Sequence, residues 1–264
     1  MADLLTLTTP VPVDHGLFTW QVPEGWNQGR GAFGGLVLAT MVRAASVGVT
    51  DGLRLRTLTA TLCGPTMVGP SDIQVEALRV GTGTHVIEVR LLQGGELRVQ
   101  ATCIFGRSRV RDGTWDDVTM PDLPNWKHLE VAPVVPPLAP MFAQNMHFRP
   151  ILGFPFTPGQ PRRTLGWVRV AEPGPVRGAA YLVAHADAWW PVALLAATAP
   201  RPIATVSFTL DIVGELDGLD PDAPFLHEAT CEQARDGYLV EHRTLRGEDG
   251  RVLALNTQTF VMIR

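Results

Sequence analysis

The sequence predicts an α+β protein built from two tandem units, each a curved antiparallel sheet wrapped around a central apolar helix. Three observations lead there. The order of elements repeats along the chain, two helix-like stretches are apolar almost all round, and the remaining runs alternate as half-buried strands do. Residues 31–107 pass through a Gly-rich turn (Gly31-Ala32-Phe33-Gly34-Gly35), an apolar stretch and three β-patterned runs. Residues 184–264 repeat that order, with an apolar stretch from Asp187 and three β-patterned runs ending at Arg264. By similarity Thr57-Leu58-Thr59-Ala60-Thr61-Leu62 aligns with Thr205-Val206-Ser207-Phe208-Thr209-Leu210. Residues 97–103 align likewise with residues 253–259.

Each element has a local reason. Leu17-Phe18-Thr19-Trp20-Gln21-Val22 alternates as a strand, closed by Pro23 and Gly25. A loop then leads into Gly34-Gly35-Leu36-Val37-Leu38-Ala39-Thr40-Met41-Val42-Arg43-Ala44-Ala45. A helix of that composition must be covered on most sides. Its expected counterpart is a second helix over residues 188–197, with Asp187 at its start and Pro191 tolerated in the first turn. The run from His85 to Leu91 turns at Gly94-Gly95 into residues 97–105, and the run from Tyr238 to Leu245 turns through Gly247 and Gly250 into residues 252–263. A long antiparallel sheet and an apolar helix bury each other best when the sheet curls round the helix. Between the units, residues 119–163 hold ten of the 22 prolines, a composition read as a linker laid over the surface. Leu165-Gly166-Trp167-Val168-Arg169-Val170 then takes the place of the first unit's opening strand. The expected organisation is residues 1–110, a connector over 111–163 and residues 164–264.

Composition excludes several classes. A net charge of −4 argues against a nucleic-acid binder, which carries a basic face. No apolar run approaches the ~18 residues that span a bilayer, and the chain starts without the basic and apolar segments of a signal peptide. A cytoplasmic location is expected. Cys63, Cys103 and Cys231 are too widely spaced for a disulfide framework or a metal site, and read as small buried strand residues. The histidines lack ligand spacing, so neither metal nor cofactor is expected.

Four segments, in this order and spacing, carry a resemblance: Gly31-Ala32-Phe33-Gly34-Gly35, Gly166-Trp167-Val168-Arg169, Ala186-Asp187-Ala188-Trp189 and Thr257-Gln258-Thr259-Phe260. Together they resemble the acyl-CoA thioesterase II family, whose fold is the double hotdog. The resemblance covers most of the chain apart from the connector. It implies hydrolysis of acyl-CoA thioesters by an Asp, a Thr or Ser, and a Gln that hold a water, falling here on Asp187, Thr205 and Gln258. Ser207 and Thr209 are neighbouring alternatives for the hydroxyl. It also implies an acyl-CoA substrate and a homodimer or higher homo-oligomer. Long-chain members follow the hydroxyl with Leu-Asp-His and a Trp-Phe-His run; the corresponding residues here include Val206, Ser207 and Phe208, a departure that bears on the acyl group.

Chemistry gives these residue types their sense. A carboxylate can take a proton from water while an amide orients that water. Trp189 and Trp190 beside Asp187 would desolvate it and raise its pKa, and Phe33, Gly34 and Gly35 would present a helix start to the thioester or to CoA. Bland readings stand beside these: Asp187 as an N-cap, Gln258 as a solvent-facing strand residue, Thr205 as an ordinary β residue, Phe33-Gly34-Gly35 as a tight turn. His185 is a rival base, and with Asp187 the only pair that would suit a hydratase or dehydratase; a non-catalytic acyl-binding protein is a third reading. Arg43, Arg54, Arg56, Arg162, Arg163 and Arg201 are candidates for the CoA phosphates. In the first unit the aligned positions are Phe33, Thr57 and Thr102, so only the second unit carries the acid and amide.

Overall fold

The computed structural model describes residues 2–109, 120, 122–175, 177–220 and 222–263. The first half holds α1 (Leu4–Leu7), β1 (Val11–Asp14), β2 (Leu17–Val22), the small ribbon β3 (Asn27–Gln28) and β4 (Gly31–Ala32), then α2 (Gly34–Ser46), β5 (Arg54–Leu62), β6 (Gly69–Val80), β7 (Thr84–Gln93) and β8 (Glu96–Gly106). The second half holds β9 (Met146–Leu152), β10 (Arg163–Val170), α3 (Ala179–Asp187), β11 (Ile203–Ile212), β12 (Phe225–Thr230), the short β13 (Ala234–Arg235), β14 (Tyr238–Arg246) and β15 (Val252–Met262). One antiparallel sheet runs β1-β2-β6-β7-β8-β5-β11-β15-β14-β12-β10-β9, so β5 and β11 join the two halves edge to edge.

Read outward from that seam, the first half gives β5-β8-β7-β6-β2-β1 and the second β11-β15-β14-β12-β10-β9. The repeat is therefore one of topology. Its register is marked by two irregularities at the same places: between Leu55 and Thr57 on β5 and between Thr205 and Ser207 on β11, then at Leu91 on β7 and Leu245 on β14. An extra residue in one strand is a fixed landmark, because it displaces every side chain beyond it.

These landmarks correct the alignment drawn from sequence similarity. They match Leu55, not Thr57, to Thr205, and through the β5–β8 and β11–β15 pairings they match Cys103, not Thr102, to Gln258. Thr102 and Gln258 lie on opposite faces of their strands, since a one-residue slip reverses the face.

The two longer helices, α2 and α3, lie inside the curl. On α2 ten of 13 residues are buried, as its composition requires, and Gly35 lets α3 approach so closely that a Cβ there would lie 2.7 Å from the Ala184 carbonyl oxygen. The second helix is not where the sequence placed it. It spans Ala179–Asp187, so Asp187 is its last residue and not its first. Pro191 is the physical reason: within a helix its ring would meet the carbonyl four residues back, that of Asp187, and it has no N–H to donate. Beyond it only a 3₁₀ turn forms, at Val192–Leu195.

The proline-rich connector also departs from expectation. It supplies β9, whose Pro150 pairs with Gly166, and it buries Phe142, Met146 and Phe148 in the core. Its residues 111–119 and 121 lie outside the described residues. Among the cysteines Cys103 and Cys231 are buried as expected, whereas Cys63 is exposed just beyond β5.

Candidate active site

Asp187 closes α3 with its carboxylate turned to the start of α2. A Cβ on Gly34 would lie 2.8 Å from Asp187 Oδ2, so that position must be glycine if the carboxylate is to sit there. Phe33, at the N-cap position, makes no side-chain cap. The Gly35 N–H instead favours the charged form of Asp187, so the second unit's acid serves the first unit's helix start. The dipoles point the same way. An anion is disfavoured at the C-terminus of its own helix and favoured at the N-terminus of the neighbour.

Burial nevertheless dominates. It lifts the Asp187 pKa to about 6, against the opposing pull of Arg243, the Gly35 N–H and the Gln258 amide, while Glu241 adds to the rise. Such a carboxyl is ionised at neutral pH yet basic enough to take a proton from water.

Gln258 and Thr205 reach the same place from adjacent strands. Gln258 is fully buried on the inner face of β15. The Thr205 hydroxyl donates to Gln258 Oε1 at 3.3 Å. Ser207 and Thr209 alternate with the inward Phe208 and Leu210 and so face away, which leaves Thr205, at the bulge, as the hydroxyl beside the amide. All three residues taken from the resemblance thus converge, although they are distant in sequence.

The aromatic and glycine candidates hold the frame. Phe33 is buried and stacks on Phe142 with centroids 4.1 Å apart. Trp189 is buried and stacks on His227 at 5.4 Å, and it fills the space that a Cβ on Gly166 would occupy. This explains the glycine in the Gly166-Trp167 motif. Trp190 is half-buried and its indole N–H donates to the Gly153 carbonyl. Gly34, Leu62, Trp190 and Thr205 are partly exposed.

His185 takes no part. Its Nε2 accepts from the Val170 N–H at 3.0 Å and its Nδ1 lies 2.7 Å from the Tyr181 carbonyl. Both ring nitrogens are thereby occupied by backbone, and burial pushes its pKa down to about 3. A neutral, doubly bonded imidazole is not a base for the hydratase reading.

Sequence reasoning missed a buried polar layer behind the trio. Arg243 donates to Glu241 Oε2 through Nε (3.1 Å) and Nη2 (2.8 Å), and to the Ala186 carbonyl through Nη1. Glu241 in turn accepts from the Val192 N–H at 2.6 Å. The pair therefore ties the backbone before and after Asp187 to β14. Asn256 donates to the Thr209 carbonyl and accepts from Gln258. The signal in the sequence was faint: Glu241 and Arg243 fall on the same strand face as Leu239 and Leu245. Among the phosphate candidates, Arg54 pairs with Glu215 and Asp217, Arg163 with Glu228, and Arg43 donates to Thr8. Among the described residues no group of His, Cys, Asp and Glu is placed to hold a metal, and no helix is long and apolar enough to cross a membrane.

Comparison with known proteins completes the picture. A hot dog fold protein from Alicyclobacillus acidocaldarius superposes with a TM-score of 0.89 at 27% identity, covering 99% of this chain and 98% of that one. The tesB protein of Mycobacterium avium subs. paratuberculosis superposes at 0.80 with 16% identity, over 99% and 98% of the two chains. The acyl-CoA thioesterase II TesB2 of Mycobacterium marinum does so at 0.78 with 16% identity, over 98% of each. A search of curated proteins finds no match. At the sequence level, the acyl-CoA thioesterase N-terminal domain family matches residues 22–106 and the C-terminal domain family residues 116–262. With a double-hotdog fold and both of these domains in order, the chain belongs to the acyl-CoA thioesterase family and is a thioester hydrolase.

Proposed function

We propose that this protein hydrolyses acyl-CoA by general-base attack of water, with Asp187 as base, Gln258 and Thr205 orienting the water, and the start of α2 stabilising the developing oxyanion. The carrying observation is the convergence of Asp187, from α3, with Gln258 and Thr205, from two strands, at the glycine-only start of the other unit's helix. In the reaction, Asp187 takes a proton from water as the water oxygen bonds to the thioester carbon. The tetrahedral intermediate then collapses, the C–S bond breaks, and the proton passes to the departing CoA thiolate. The products are a carboxylic acid and CoA. The Gly34 N–H, at the positive end of a 13-residue helix and next to the Gly35 N–H that serves Asp187, suits the negative charge on the carbonyl oxygen.

A panel of acyl-CoAs of graded length, assayed for released thiol, tests this reading. Turnover of at least one member is expected, with no hydration of the matching enoyl-CoA. Calorimetric binding of CoA esters with no thiol release at any length would favour the non-catalytic reading instead.

A further inference from the structure

A glutamine beside a carboxylate is useful only one way round. With its N–H towards Asp187 it supports the anion; turned over, it sets one oxygen against another. Nothing intrinsic to an amide selects between the two, so a neighbour must. Thr205 cannot, because a hydroxyl donates or accepts equally well. Asn256 can. Its Nδ2 is anchored on the Thr209 carbonyl at 2.7 Å, an acceptor that cannot change role. That leaves Oδ1 facing Gln258, and an oxygen in that position accepts only from Nε2, which it does at 2.9 Å. Gln258 Oε1 is then left to the Thr205 hydroxyl, and the remaining N–H to Asp187.

We propose that Asn256 is a positioning residue that fixes the sense of the Gln258 amide, transmitting the polarity of a backbone carbonyl on β11 to the base. The inference rests on the catalytic reading of Asp187 and Gln258 but concerns a residue two positions along β15, on the same inner face. Its counterpart in the first unit, placed by the strand register, is Ala101, which has no such role.

Among the described residues, Arg243 and Glu241 on β14 act on the Asp187 charge; His227 on β12 is itself acted on by Arg243, and His185 lies two residues before Asp187 on α3. Arg243 lies across the strand pair from Asn256, so the test must separate an effect through Gln258 from one through the guanidinium.

The variants are Asn256→Thr and Asn256→Val, both β-branched and suited to a strand, which differ by a hydroxyl acceptor against a methyl. The readout is ¹³C NMR titration of the Asp187 carboxyl, assigned with Asp187→Asn, together with the pH profile of thiol release. Asn256→Thr should stay close to wild type, because a hydroxyl committed as donor to the Thr209 carbonyl can only accept from Gln258. Asn256→Val should move the Asp187 titration upward by about one pH unit, with kcat at pH 6 roughly tenfold lower and KM little changed. In a Gln258→Leu background, Asn256→Val should add nothing. An unshifted titration in Asn256→Val, an equal shift in Asn256→Thr, or the same shift without Gln258 would each overturn the proposal. Should Asn256→Val not fold, Asn256→Ala carries the same comparison. The titration needs no turnover, so this inference is judged even if no acyl-CoA is hydrolysed, while the activity of Asp187→Asn judges the proposed function separately.

Discussion

The two units share one topology and differ at one cluster. Five inward positions that cluster on β11, β14 and β15 are polar: Thr205, Glu241, Arg243, Asn256 and Gln258. The strand registers match them to Leu55, Ile87, Val89, Ala101 and Cys103, all buried and apolar. The first unit is thus an ordinary hydrophobic core, whereas the second carries a buried hydrogen-bonded network at the same place. A network of that kind is costly unless each member is paired, and here Arg243, Glu241, Asn256 and Gln258 all have partners. The first unit still contributes. Its glycine-rich helix start faces the acid, so the proposed site lies at the junction, with side chains from one unit and a helix start from the other.

This asymmetry can be broken from either side. The largest effect is expected from Asp187→Asn, which should lower kcat by about 10³-fold or more with substrate binding retained, read by thiol release and calorimetry. The same variant carries a stability signature. A carboxyl whose folded pKa is raised to about 6 prefers the protonated state in the fold, so its contribution is present at low pH and fades as pH rises through 6. Asp187→Asn should therefore match wild type near pH 4 and exceed it by about 2 kcal/mol at pH 8, measured by denaturant unfolding. Wild-type activity should rise with pH through about 6 on its acid limb.

On the first unit's side, Gly35→Ala places a methyl 2.5 Å from the Phe33 ring and 2.7 Å from the Ala184 carbonyl. It should destabilise by about 2 kcal/mol or more and lower activity, although it touches no side chain of the trio. A smaller effect is expected from Thr205→Val, which removes one hydrogen bond to Gln258: roughly tenfold in kcat, with thermal stability within about 1 kcal/mol. The smallest belongs to Cys103→Ala, the first-unit counterpart of Gln258. It should cost about 1 kcal/mol of stability and leave kcat unchanged, whereas Gln258→Ala should lose most activity.

Much of this was legible in the sequence, for reasons that particular residues make clear. The apolar run from Gly35 to Ala45 allowed only a buried helix, and alternation in the runs ending at Leu91 and Leu245 allowed only antiparallel strands. Asp187, Thr205 and Gln258 were singled out through the resemblance rather than through their own patterns, and the fold brings them together. The second helix was misplaced because the apolar run continues past Asp187, while Pro191 forbids the backbone from following it. The repeat alignment slipped because alternating strands look alike at neighbouring offsets, and only the matched bulges at Arg56 and Val206 and the strand pairings fix the register. The Glu241–Arg243 pair was illegible for a different reason: charged residues in an alternating strand ordinarily face water, and only packing reveals that these point inward.

The origin of the oxygen in the released acid decides whether water or the Asp187 carboxylate attacks the thioester. In a single turnover of acyl-CoA with excess enzyme in H₂¹⁸O, a base-activated water places one ¹⁸O in the released acid and none in the protein. That is the expected result, with the peptide containing Asp187 unlabelled by mass spectrometry. An unlabelled acid with ¹⁸O in the Asp187 carboxyl would show that the carboxylate attacks the thioester itself and would contradict its role as a base.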